Sequence, residues 1–264
     1  MKALLSNDDG IHSPGLAALE RAAQEAGFET YVVAPDREQS ASSHALTMHR
    51  PLRVTKTGER AWVVDGTPTD CVNLALCNVL RANPPDFVFS GINLGPNLGD
   101  DVTYSGTVAC AFEGTLLGIR SVAFSLDLKR DSEFPPDFAH AESYAAEVIR
   151  IALEELTGGD TLWNVNIPSG EPKGIRPTRM GKRRYGETVV EKIDPRGRPY
   201  FWIGGAHVDT HADGTDLTAV DEGFVSVTPL HLDLTDFRAL EAIARKGRLS
   251  RGKEPTPETP EKPR

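Results

Sequence analysis

The sequence predicts an α/β fold: a doubly wound, mostly parallel Rossmann-like sheet, followed by a protruding C-terminal β-hairpin arm and a C-terminal helix. Short apolar segments bounded by turn residues begin at Ala3, Thr30, Phe87 and Ser121, as is typical of buried parallel strands. Segments with helical periodicity alternate with these strands, which is the pattern of helices packed on both faces of a sheet.

The first predicted strand, Ala3-Leu4-Leu5, leads into a helix that begins at Ser13-Pro14. Serine is a common N-cap and proline a common first helical residue. Apolar residues then recur at helical spacing until Gly27, where the helix is predicted to end. The second strand covers 30–34 and ends at Pro35.

The later elements continue the alternation. The strand at 87–89 is predicted to end at Ser90-Gly91, because glycine and serine commonly mark turns. A helical segment at 108–117 precedes a strand at 121–126, and a longer amphipathic helix covers 139–156.

From Lys173 onward basic residues accumulate, and two strand-like segments at 187–191 and 199–203 flank Asp194-Pro195-Arg196-Gly197. This pattern predicts a hairpin. Tyr200, Phe201 and Trp202 are consecutive, so they fall on both faces of a strand, and an isolated hairpin cannot cover both. We therefore expect oligomerisation through 173–205 and 239–244.

These features divide the chain into three regions. Residues 1–172 form the predicted core, and 173–245 hold the hairpin arm, a closing strand and the C-terminal helix. Residues 246–264 contain four prolines, nine charged residues and a single leucine, a composition that predicts a disordered tail.

Composition and charge restrict the class of function. The formal net charge of −9 argues against a stable complex with nucleic acid. No apolar run reaches the length of a membrane span, and no secretory signal is visible, so we expect a cytoplasmic protein without membrane contact. Cys71, Cys77 and Cys110 lack any Cys-x-x-Cys spacing, which predicts buried free thiols rather than disulfides or a zinc site.

Asp8 and Asp9 follow the first strand directly. Ligands of open α/β sheets bind beyond the carboxyl ends of the strands, and two adjacent carboxylates there repel each other unless a cation lies between them. Both can reach one ion only if the chain leaves the strand at this point, which Gly10 permits. An isolated Asp-Asp pair is more often a turn or a helix cap, so other segments must decide.

Three other segments can converge on these aspartates. A serine-rich loop at 33–44 leaves the second strand, and a glycine-rich loop at 90–101 carries Asn93. Ser105-Gly106-Thr107 precedes a helix, and a helix N-terminus with small hydroxyl residues is suited to an anion. Ordinary N-capping is the alternative interpretation.

Several other enzyme classes are excluded by their missing motifs. The first strand is not followed by Asp-x-Asp, as in haloacid-dehalogenase-type phosphatases, or by Gly-x-Gly-x-x-Gly. Neither Ser90 nor Ser105 lies in Gly-x-Ser-x-Gly. A calcium loop at 209–220 is excluded by His211 and Val220 at ligand positions.

The motifs, taken in order, resemble the SurE (survival protein E) family of nucleotidases. The resemblance is dense over 1–127 and thinner at WNVNIP (163–168) and GFVSVTPL (223–230). The dense part comprises LSNDDGI at 5–11, VAPDR at 33–37, GTPTDCV at 66–72, SGIN at 90–93, GPN at 95–97 and SGT at 105–107.

The resemblance implies a divalent-metal-dependent phosphatase that acts on nucleoside monophosphates, as a homodimer or tetramer with exchanged C-terminal arms. It places one ion per subunit, Mg²⁺ or Mn²⁺, on Asp8, Asp9, Ser40 and Asn93. Ser42 and Ser43 are alternatives to Ser40. Four oxygen donors, two of them charged, suit such a hard ion.

We therefore expect a phosphomonoesterase in which Asp8 and Asp9 are catalytic. Asn97, Ser105, Gly106 and Thr107 are expected to bind the phosphate. Expected substrates are nucleoside 5′-monophosphates, with 3′-monophosphates and short polyphosphate as further possibilities. Water could attack phosphorus directly, with either aspartate orienting or deprotonating it, or Asp8 could form an aspartyl-phosphate.

Two other classes of function stay open at this point. The first is a nucleotide-binding stress regulator that holds a metal and a nucleotide without significant turnover. The second is a structural oligomer whose basic hairpin is the main interaction surface.

Overall fold

The computed structural model describes residues 1–128, 136–185, 189–204 and 207–246. The chain divides into two compact units, of which the first is Met1–Leu232 and the second begins at Asp233. Apart from Lys246, the predicted tail lies outside the described residues.

The first unit is built on a nine-stranded sheet with the order β3-β4-β2-β1-β5-β6-β7-β13-β8. The pairs from β4 to β7 are parallel, as is β13 with β8, whereas β3–β4 and β7–β13 are antiparallel. The strands of this sheet are β1 (Lys2–Ser6), β2 (Glu29–Pro35), β3 (Val54–Lys56), β4 (Ala61–Val64), β5 (Phe87–Leu94), β6 (Arg120–Leu126), β7 (Thr161–Ile167), β8 (Ile175–Pro177) and β13 (Val225–His231).

Helices cover both faces of this sheet, which confirms the predicted doubly wound architecture. Leu5 of β1 packs in one cluster with Leu19 of α1 and Ile149 of α4. Leu4 of the same strand packs in a second cluster with Cys110 of α3, because successive side chains of a strand point to opposite faces. The helices are α1 (Pro14–Glu25), α2 (Pro68–Leu74), α3 (Gly106–Leu116), α4 (Ala139–Glu155), α5 (Asp216–Asp221) and α6 (Phe237–Lys246).

Local signals locate the ends of several helices correctly. Ser13 is the N-cap of α1 and Pro14 its first residue, although the Ser13 side chain makes no capping hydrogen bond. Gly27, with φ of +88°, follows the end of this helix. Ser105 is the N-cap of α3, and its Oγ accepts a hydrogen bond from the backbone N–H of Val108 at 3.0 Å.

Strand β5 extends five residues past its predicted end, because Gly91 continues the strand instead of ending it. The pairing with β6 is irregular between Ser90 and Asn93, and Gly91 has φ of +122°. A Cβ atom at Gly91 would lie 2.2 Å from the carbonyl oxygen of Phe124. Glycine is therefore required here for the close approach of two neighbouring strands.

The predicted hairpin is present as β10 (Val189–Ile193) and β11 (Pro199–Ile203), which pair antiparallel. All residues of both strands are exposed. A second antiparallel pair, β9 (Lys182–Tyr185) with β12 (His207–Thr210), has no counterpart among the predicted elements. Short elements of this kind, including β3, β4, α2 and α5, carry little periodicity from which to predict them.

The thiols follow the prediction in part. All three cysteines are free, and Cys71 and Cys110 are buried, but Cys77 is exposed, so the prediction of burial is wrong for this residue. Cys77 lies in a π-helical turn (Ala75–Val79) after α2. Every helix in the described part of the chain is too short or too polar to cross a bilayer.

Candidate active site

A cleft of about 380 Å³ lies at the carboxyl ends of β1 and β5. Six of the sequence-predicted site residues line it together: Asp8, Asp9, Ser40, Asn93, Asn97 and Ser105. Asp8 and Asp9 lie beyond the end of β1 at Ser6, so both carboxylates can face one ligand. The predicted exit of the chain from the strand at this point is confirmed.

The N-terminus of α3 fixes the carboxylate of Asp8, which is only 6% exposed. The Thr107 hydroxyl donates a hydrogen bond to its Oδ1. Burial raises the pKa of Asp8, while the hydrogen bond from Thr107 and the backbone N–H groups of Thr107 and Gly106 act in the opposite direction. A Cβ atom on Gly106 would lie 2.8 Å from the Cβ of Asp8, so only glycine lets the helix approach so closely.

The negative charge of Asp9 is stabilised by fewer hydrogen bonds than that of Asp8. Its Oδ2 atom is buried and has no hydrogen-bond partner among the described residues. Burial, and then the negative charge of Asp8, raise the pKa of Asp9 to about 6. Two adjacent carboxylates with raised pKa values and an unpartnered buried oxygen are the electrostatic signature of a site that lacks positive charge.

The rest of the cleft supplies no such charge. Glu38 and Asp101 also line it, whereas no Lys, Arg or His among the described residues does. The negative charge of Asp101 is neutralised by Arg183, which does not line the cleft and whose Nη1 lies 2.6 Å from Asp101 Oδ2. Among the residues that the structure describes, no basic side chain forms an ion pair with Asp8 or Asp9.

The available donors fit a hard divalent cation. Over residues 1–128, 136–185, 189–204 and 207–246, no group of three His, Cys, Asp or Glu side chains is arranged to hold a metal, so an ion here would need neutral oxygens besides Asp8 and Asp9. The Asn93 Nδ2 donates to the Gly95 carbonyl at 2.8 Å, which leaves its amide oxygen as the atom it can offer. Carboxylate, amide and hydroxyl oxygens suit Mg²⁺ and Mn²⁺.

The hydrogen bonds of the serine-rich loop at 33–44 leave two residues as candidates for the hydroxyl ligand. Ser43 Oγ donates to the Thr103 carbonyl at 2.6 Å, so this hydroxyl is engaged away from the aspartates. Ser40 lines the cleft and donates to Glu38 at 2.6 Å. Ser42 Oγ is buried without a partner among the described residues, and a Cβ on Gly106 would lie 2.8 Å from it. Ser40 and Ser42 both stay candidates.

The four predicted phosphate-binding residues occupy two layers. Asn97 and Ser105 line the cleft, and Asn97 is held by a hydrogen bond from its Nδ2 to Ser125 Oγ at 2.8 Å. Gly106 and Thr107 lie behind Asp8, and Thr107 is fully buried. The hydroxyl of Thr107 therefore contacts a site carboxylate, which places it one layer behind the cleft.

Seven residues that line the cleft were not among the predicted site residues: Glu38, Ala41, Leu94, Pro96, Asp101, Tyr104 and Tyr185. Tyr185 comes from β9, and its hydroxyl donates to Asp101 Oδ1. Burial, and then this hydrogen bond, raise the pKa of Tyr185 to about 12. Asp101 ends the glycine-rich loop (90–101) that the sequence predicts to converge on the aspartates, and Tyr104 directly precedes Ser105-Gly106-Thr107, whereas no local pattern indicates Tyr185.

Comparisons with known proteins identify relatives of this chain over nearly its whole length. A sequence model of the family described as "Survival protein SurE" matches residues 3–187. A protein named 5′-nucleotidase SurE from Syntrophotalea carbinolica is 50% identical over 246 residues, which cover 93% of this chain and 97% of that protein. A protein of the same name from Anaeromyxobacter sp. (strain Fw109-5) is 52% identical over 247 residues, covering 92% of this chain and 94% of the relative.

A solved structure shows the same fold. The crystal structure of the SurE protein from Aquifex aeolicus matches with a TM-score of 0.79 and 43% sequence identity. The match covers 93% of this chain and 99% of that chain.

Proposed function

The chain belongs to the survival protein SurE family, and from this membership we propose a divalent-metal-dependent phosphomonoesterase that converts nucleoside 5′-monophosphates to nucleoside and phosphate. Relatives about half identical over nearly the whole chain are named 5′-nucleotidases, and this chain is accordingly a nucleotidase. Metal dependence, hydrolysis of 3′-monophosphates and of short polyphosphate, and a cytoplasmic location are parts of the proposal.

One observation carries the proposed metal dependence. The cleft is lined by four carboxylates and, among the described residues, by no basic side chain. A phosphate monoester is itself an anion, so it would be repelled from Asp8 and Asp9 in the absence of a cation. The unpartnered Oδ2 of Asp9 supports the same conclusion.

We assign Asp8, Asp9, Asn93 and Ser40 to the ion, with Ser42 as the alternative to Ser40. When bound, Mg²⁺ or Mn²⁺ supplies Lewis acidity that offsets phosphoryl charge and acidifies water. Asn97 and Ser105 lie in the same cleft and can donate hydrogen bonds to phosphate oxygens as charge develops on them.

The two aspartates are suited to different roles. Oδ1 of Asp8 accepts the Thr107 hydroxyl, so this carboxylate is held in one orientation. Oδ2 of Asp9 has no partner in the described part of the chain, so one oxygen of this carboxylate would be available for the ion and the other for a proton from the attacking water. Acid quenching with phosphorus-labelled substrate tests the covalent alternative, since label on the protein would indicate an aspartyl-phosphate at Asp8.

We also propose a homodimer or tetramer with exchanged arms. All residues of β10 and β11 are exposed, including Phe201 and Trp202. Within the second unit, α6 is also exposed over its whole length, and Phe237, Leu240 and Ile243 are its large apolar residues. Exposed large apolar side chains that are grouped in this way are typical of a protein contact.

The direct test is phosphate release from nucleoside 5′- and 3′-monophosphates, short polyphosphate and duplex DNA, before and after chelation. We expect release from mononucleotides that a chelator abolishes and Mn²⁺ restores, and faster release from mononucleotides than from duplex DNA. Saturable nucleotide binding without release would instead support the stress-regulator alternative. Release that is unaffected by the chelator would refute the metal assignment.

A further inference from the structure

The cleft is larger than a phosphate group and is lined in part by aromatic and apolar side chains. Its volume of about 380 Å³ lies within the size range of small-molecule pockets, which is larger than one phosphate group requires. Besides the polar residues assigned above, Tyr104 and Tyr185 line it, together with Leu94 and Pro96. Aromatic and apolar side chains contribute little to the binding of a phosphate group, but they pack well against an aromatic ring.

Both tyrosines keep much of their surface available. Tyr104 is 61% exposed and Tyr185 is 43% exposed. Tyr104 immediately precedes Ser105, so one aromatic residue adjoins the part of the cleft assigned to phosphate. Exposed aromatic rings beside a polar ligand site are a recurrent means of binding nucleobases, because every base has a π-face that can stack.

The ring of Tyr185 is held in place by contacts of β9 with Asp100, Asp101 and β12. Its hydroxyl donates to Asp101. Arg183, two residues earlier on β9, is buried and bridges Asp101 at 2.6 Å and Asp209 of β12 at 2.8 Å. The backbone N–H of Arg183 also donates to Asp100 Oδ2 at 3.0 Å. A ring held in this way loses little conformational freedom when a ligand binds.

We propose that Tyr185, together with Tyr104, contacts the base of the nucleoside monophosphate, and that Arg183 and Asp101 are positioning residues for the Tyr185 ring. This inference rests on the proposed function, since it names the part of the substrate that the nucleotidase site binds besides phosphate. Stacking is tolerant of base identity, so the contact favours nucleotides over other phosphate esters without selecting one base.

The experiment compares Tyr185→Leu, which removes the ring, with Tyr185→Phe, which keeps the ring and removes the hydroxyl. Substrates are AMP and ribose 5-phosphate, which lacks a base. We expect Tyr185→Leu to raise KM for AMP about tenfold, the effect typical of one lost stacking contact, and to leave KM for ribose 5-phosphate unchanged. Tyr185→Phe keeps the ring but loses the hydrogen bond to Asp101 that positions it, so we expect it to raise KM for AMP by about threefold, less than Tyr185→Leu does.

A second measurement does not depend on turnover. Calorimetric titration with adenosine, which has no phosphate to release, should give about tenfold weaker binding to Tyr185→Leu than to the wild type, and an intermediate affinity for Tyr185→Phe. Equal adenosine affinity of Tyr185→Leu and wild type, or an equal rise in KM for both phosphate esters, would overturn the proposed base contact. If the wild type does not hydrolyse AMP but adenosine binding is weakened in Tyr185→Leu as expected, only the proposed function is refuted.

Discussion

The hydroxyl of Thr107, in the first turn of α3, donates a hydrogen bond to Oδ1 of Asp8, 99 residues earlier in the chain. This contact joins the helix N-terminus to the loop after β1. Because the carboxylate is almost completely buried, the bond fixes which oxygen of Asp8 remains for a ligand. Thr107 therefore acts on the site through Asp8.

The first prediction concerns this contact. Thr107→Val keeps the shape of the side chain but removes the hydroxyl, so it should lower kcat about tenfold, in line with the loss of one hydrogen bond to a charged group. Thr107→Ser keeps the donor and should retain most of the activity. Steady-state kinetics distinguish this role from direct phosphate binding, which predicts a rise in KM at unchanged kcat for Thr107→Val.

The second prediction concerns the aspartates. Asp8→Asn and Asp9→Asn each lose a charge at the proposed ion while keeping nearly the same shape, so each should reduce phosphatase activity by at least about a hundredfold. Circular dichroism should show an intact fold in both variants. Undiminished turnover of either variant at saturating Mn²⁺ would exclude that aspartate from the metal site.

The third prediction concerns the neutral ligands. Asn93→Ala removes an uncharged donor, so it should raise the Mn²⁺ concentration needed for half-maximal rate more than it lowers the maximal rate. Ser40→Ala and Ser42→Ala, compared in the same titration, identify the hydroxyl ligand as the one whose loss shifts the metal requirement. An unchanged metal requirement in Asn93→Ala would remove Asn93 from the proposed ligand set.

The fourth prediction concerns pH. The pKa of Asp9 rises from 3.8 to about 6 in the folded chain, so the folded state binds this proton more tightly than the unfolded state. The stabilisation from Asp9 is therefore fully present below about pH 4 and is lost as pH rises through about 6. In chelator, Asp9→Asn should lack this loss and should be more stable than the wild type at neutral pH.

Urea unfolding at several pH values, with chelator present, measures this difference. Addition of Mn²⁺ at neutral pH should stabilise the wild type more than Asp9→Asn, because binding to the folded state alone raises its stability. Parallel stability curves for the two proteins between about pH 4 and 7 would contradict the assignment of the raised pKa to Asp9.

The fifth prediction concerns assembly. Deletion of 186–204 removes the exposed hairpin and should convert an oligomer into a monomer of lower stability and lower activity, although Asp8 and Asp9 are untouched. Light scattering measures the mass. As controls, the pair Tyr200→Ser and Trp202→Ser and the pair Phe201→Ser and Ile203→Ser each alter one face of β11. A monomeric intact protein at micromolar concentration would refute the proposed assembly.

The sequence alone determined those features that short stretches of chain encode. Ser13-Pro14 and Gly27 mark the ends of α1 because capping and left-handed backbone conformations depend on adjacent residues. The pairing of 199–203 in a hairpin follows from local strand and turn residues. The position of Asp8 and Asp9 beyond β1 follows from the strand that precedes them.

The tertiary structure decided everything that depends on contacts between distant segments. Gly91 stays within β5 because Phe124 of β6 lies against it, and Thr107 faces a carboxylate because α3 packs at the end of β1. Tyr185 enters the cleft because Arg183 and Asp101 join the arm to the core. Periodicity and capping describe one segment at a time, so they cannot encode which segments meet, whereas packing and paired charges between segments fix these positions in the folded chain.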